Sequence, residues 1–72
     1  MTLLELARKL PATVAAVHAD EAIAHRLRLC GVWPGRPIEI LRVAPMGGPL
    51  HVRIGAAEFL LRRDMAAQVE VA

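Results

Sequence analysis

The 72 residues make one domain, residues 1–72, and a chain this short removes only about 60% of its unfolded surface from water, so its core is thin. With 56% hydrophobic residues but one Trp, one Phe and no Tyr, that core is built from Leu, Val, Ile and Ala; the single Cys excludes an internal disulfide. A net charge of +2 with the signs interspersed, and so few aromatic rings to stack on bases, points away from nucleic acid.

Along the chain, Thr2 caps a short turn carrying Leu3, Leu4 and Leu6, which Pro11 ends. Glu5 breaks the basic-then-apolar order of a signal peptide, and no apolar run nears the roughly 20 residues that span a bilayer. The expectation is a soluble, cytoplasmic chain without direct membrane insertion. Residues 13–19 read as a first strand, weakened by alanines. Asp20 then suits a helix N-cap, with Glu21 in the first turn. Ile23, Leu27 and Cys30 follow on one helical face, with Cys30 expected as a small buried hydrophobe. Gly31 falls at C′ and Val32 at C″, where a Schellman motif sets it against Leu27.

Trp33-Pro34-Gly35-Arg36 fits a type II turn: proline sets φ near −65° and glycine supplies the positive φ that follows. Residues 38–43 form a second strand, and Pro45 to Pro49 a loop that cannot pair. Residues 50–54 alternate as a half-buried third strand. After a turn at Gly55, residues 58–62 make a fourth, residues 63–67 one helical turn, and residues 68–71 a fifth. Five short strands, with one short α-helix between the first and second, describe a mainly β five-stranded barrel. The stretch from Gly31 to Pro49 holds four of the five glycines and four of the five prolines, which fix the corners.

The chemistry is sparse. There is no Ser, Tyr or Asn, the only hydroxyls are on Thr2 and Thr13, and no Walker-type phosphate loop is present. No enzymatic activity and no cofactor are expected. His18, His25, His51, Cys30 and Met46 are the metal-ligand types, but none has a recognised spacing, and His25 and Cys30 stand about 140° apart around a helix. No dedicated metal site is expected, and His51 reads as solvated. Trp33 has two readings, a lid on the open end of the barrel or an exposed anchor for a partner. In the second, Leu29 and Met46 join it; Leu27 is ambiguous, because a helix across a barrel buries one side and offers another. Arg26 and Arg28 are solvated or meet an acidic partner, and Arg62-Arg63 rims the barrel. The candidate partner-binding set is Leu27, Arg28, Leu29, Trp33 and Met46. Exposed sheet edges leave a homo-oligomer open.

Leu-x-x-Cys-Gly-Val-x-Pro-Gly from Leu27 to Gly35, Ile-x-Ile-x-Arg-Val-Ala-Pro-Met-Gly-Gly-Pro-Leu-His-Val from Ile38 to Val52, and Leu61-Arg62-Arg63 together resemble the FeoA family. The resemblance covers essentially the whole chain. It implies an SH3-like barrel that serves as a cytoplasmic accessory of bacterial ferrous-iron uptake, with the transporter FeoB and its cytoplasmic GTPase domain as partner. Three positions depart from the family pattern: Cys30 replaces a usual Leu, Gly48 a frequent Asp, and Trp33 places a large ring on the corner before Pro34. The alternatives are a metal-sensing or metal-binding SH3-like module, and a nucleic-acid-binding SH3-like barrel.

Overall fold

Alternation builds the sheet. Along Leu50–Ile54 the apolar residues Leu50, Val52 and Ile54 are buried while His51 and Arg53 point away from the core. The structure, a computed structural model, describes residues 1–6 and 10–72. A 3-10 turn (Leu3–Glu5) leads to β1 (Ala12–Val17), α1 (Glu21–Leu29), β2 (Pro37–Val43), β3 (Leu50–Ile54), β4 (Ala57–Leu61), α2 (Arg63–Ala66) and β5 (Val69–Val71). The strands form one antiparallel sheet in the order β4-β3-β2-β1-β5. Register shifts beside Ala15 in β1 and Leu41 in β2 bend the sheet around its core. The fold is the expected mainly β, SH3-like class. Its sheet is open, with α2 rather than a ladder linking β4 to β5.

The free side of β5 is covered by the start of the chain. Thr2 bridges Glu70, and Val71 N–H donates to Met1 O at 2.8 Å. The Met1 ammonium lies 2.6 Å from Glu70 Oε2; this hydrogen bond and charge hold the Glu70 carboxyl below its ordinary range and raise the amine. Within the opening turn, Glu5 Oε1 accepts from Thr2 N–H at 2.6 Å. The short turn expected to reach Pro11 closes after Glu5, and its residues 7–9 lie outside the described ones.

The helix is punctuated as its sequence predicts. Asp20 Oδ1 accepts from Ile23 N–H at 2.9 Å. Gly31 adopts φ +94°, its N–H donates to Arg28 O at 3.0 Å, and Val32 N–H donates to Leu27 O at 2.9 Å, the two bonds of a Schellman motif. This geometry corrects one expectation: Cys30 is exposed. The left-handed turn at Gly31 swings Val32 into the core beside Leu27, so the position assigned to the thiol is filled from outside the helix. The first strand likewise spans Ala12–Val17 rather than residues 13–19. His18 N–H still donates to Gln68 O at 2.7 Å before the chain leaves the sheet to place Asp20 at the cap. Among the described residues, no helix is long and apolar enough to cross a membrane.

Candidate interaction surface

The corner between α1 and β2 is held by a tight turn and by hydrogen bonds to β1. Gly35 has φ +94°, and Arg36 N–H returns to Trp33 O at 3.2 Å, as a type II turn requires. Two further bonds of 2.8 Å, Gly35 N–H to Val14 O and Val14 N–H to Arg36 O, pin the corner to β1. Trp33 is therefore carried on a fixed backbone. Its ring stays 41% exposed while the Arg36 guanidinium stacks over it, 4.4 Å from the centroid. An exposed cation–π contact of this kind contributes about 0.5–1 kcal/mol. Arg36 also reaches the β3–β4 turn, where a Cβ on Gly55 would stand 3.2 Å from its Nη2. Leu29, 74% exposed, ends α1 on the approach to this corner.

Gly55 also lines an open groove of about 210 Å³ that runs past Pro11, Pro37 and Ile38, with Glu39 and Arg53 at its polar side. Arg53 Nη1 meets Glu39 Oε1 at 3.4 Å. On the outer face of the sheet the charges continue: Arg53 Nη2 lies 3.8 Å from Glu58 Oε2, and His51 Nε2 lies 3.0 Å from Glu58 Oε1. His51, expected as solvated, is thus engaged by a carboxylate and only a third exposed. Glu39 pairs with Arg53, and Arg53 with Glu58, across neighbouring strands. Sequence reasoning missed this row because it depends on strand register.

The candidate partner-binding residues do not form one patch. Leu27 is fully buried, which corrects its place in the set: as C3 of the Schellman motif it packs inward and offers no side-chain surface. Arg28 donates through Nη2 to Glu21 Oε1 at 2.8 Å, two helical turns back. Arg28, Leu29 and Trp33 share the α1–β2 corner. Met46 is fully exposed in the β2–β3 loop, at the other end of β2, and that seven-residue strand separates it from the corner by about 20 Å. Exposed Leu10 and Leu60 were not anticipated. In Glu58-Phe59-Leu60-Leu61 three apolar residues run together, and no alternation marks the outward one. Among the described residues, no group of three His, Cys, Asp or Glu side chains is placed to hold a metal ion.

The same architecture recurs in known structures. FeoA from Stenotrophomonas maltophilia complexed with zinc, described as a procaryotic SH3 domain protein, is 39% identical with a TM-score of 0.85, over 100% of this chain and 89% of that one. FeoA from Chlorobium tepidum is 34% identical with a TM-score of 0.90, over 99% and 68%. Iron(II) transport protein A from Clostridium thermocellum is 34% identical with a TM-score of 0.93, over 99% of this chain; the chain spans 44% of that protein's length. The FeoA domain model matches residues 1–72. With that match over its whole length, the chain belongs to the FeoA domain family.

Proposed function

We propose that the domain is a non-enzymatic, cytoplasmic accessory of bacterial ferrous-iron transport that docks on the GTPase part of a FeoB-type membrane transporter. Family membership supports the transport role, as does the likeness to a protein named iron(II) transport protein A. The observation that carries the docking role is Trp33. Its ring is half exposed, backed by Arg36, and fixed on a corner hydrogen-bonded to β1. Tryptophan is enriched among the residues that dominate binding energy, and a pre-fixed ring loses little entropy when it is covered. Docking alters transport only if the domain binds one conformation of the GTPase part better than another.

Calorimetric titration of that GTPase part, with GTP analogue, with GDP and without nucleotide, tests the proposal. The expected result is association whose affinity differs between nucleotide states and falls about tenfold or more in Trp33→Ala. No association at high micromolar concentration in any state contradicts it.

A further inference from the structure

Met46 is the single non-glycine residue with positive φ among the described ones, at +58°. Gly47 follows at φ +74°, and Gly48 N–H donates to Pro45 O at 3.2 Å. Two successive left-handed residues closed in this way make a type I′ turn, whose first central position favours Asn, Asp or Gly. The left-handed region is uphill for a residue with a Cβ. Pro45 and Pro49 stiffen both flanks, and Ala44 N–H to Pro49 O at 3.1 Å closes the base of the loop. The Met46 side chain is nevertheless fully exposed, so no packing within the domain compensates for the backbone strain or for an apolar chain left in water. Strain of this sort persists where surrounding structure over-determines it, and it concentrates at ligand clamps and active sites.

The charges around the loop have one prevailing sign. Arg42 stands next to the end of β2, and Arg62 follows Leu61, which pairs with Leu50 at the start of β3. Arg63 Nε lies 4.0 Å from where a Cβ on Gly47 would stand. Against these three cations stand Asp64, 3.6 Å from Arg62 Nε, and Glu58, which lies 3.0 Å from the His51 that pairs with Arg42. A flexible thioether held out on a stiff turn and flanked by arginines fits an apolar pocket rimmed by carboxylates.

We infer that Met46 is a second anchor, inserting into such a pocket on the GTPase part of the transporter. The inference rests on the docking reading above and adds a contact at the opposite end of β2 from Trp33. Titration of the GTPase part with the wild-type domain, Met46→Asn and Met46→Leu tests it, alongside thermal unfolding of each. Asn suits the left-handed position, whereas Leu keeps the apolar bulk. The expected result is that Met46→Asn unfolds no earlier than wild type yet binds about tenfold more weakly, while Met46→Leu binds close to wild type. Wild-type affinity in Met46→Asn overturns this contact and leaves the Trp33 contact standing. Equal losses in both variants also overturn it, since the loop's shape rather than an apolar side chain is then being read. Sedimentation of the wild-type domain with anionic vesicles, lost in Met46→Asn, assigns the side chain to a lipid surface instead and overturns it too. No binding by wild type removes the docking reading itself and this contact with it.

Discussion

Gly48 shows how little slack the loop joining β2 to β3 contains. A Cβ there would lie 2.8 Å from Ala44 Cβ and 3.2 Å from Pro45 O, and a methyl rooted on the backbone cannot swing aside. Gly48→Ala is expected to destabilise the domain by about 1–3 kcal/mol, the usual cost of overpacking. Thermal unfolding should register this at about 4–8 °C per kcal/mol for a domain of this size; an unchanged midpoint would mean the loop relaxes freely. Single residues were legible in the sequence where one conformation was demanded, as at Gly31 and Gly35. Val32 likewise enters the core as the Schellman reading places it. Cys30 does not: its spacing from Ile23 and Leu27 suggests burial, but as the C-cap before the left-handed Gly31 its thiol is left exposed.

Elements read most clearly where pattern and punctuation agree. Leu50–Ile54 alternates without a break between Pro49 and Gly55, and the strand has those bounds. The alanines of Ala12–Val17 carry no such signal, so its end was placed two residues late. Bulges beside Ala15 and Leu41, and the Glu39–Arg53–Glu58–His51 row, depend on cross-strand register, which no local pattern records. The helix has both ends capped but little burial, since Leu27 is its one fully buried side chain. Its cap therefore matters. Asp20→Ala removes the acceptor for Ile23 N–H and is expected to cost about 1 kcal/mol, measurable as an earlier midpoint in urea unfolding followed by circular dichroism. A loss near zero would mean that the Schellman end and Leu27 alone hold α1.

For the whole molecule, the turns at Pro34-Gly35 and Met46-Gly47 follow from glycine and proline, while the bend of the sheet comes from the bulges beside Ala15 and Leu41. The openness between β4 and β5, closed over in part by Met1 and Thr2, does not follow from strand count. Neither does the layout of the surface. Residues singled out by type alone turn out to be divided by the length of β2 in a domain that measures 29 × 22 × 22 Å. On the proposed docking, the domain grips its partner at two ends, through a fixed tryptophan and a strained methionine. Backbone amide chemical shifts of the labelled domain, followed while the transporter's GTPase part is added, test this most directly. The largest changes are predicted at 29–36 and 46–47, with β5 and the Leu3–Glu5 turn little affected. Changes confined to β5 and that turn, or none at saturating partner, would contradict it.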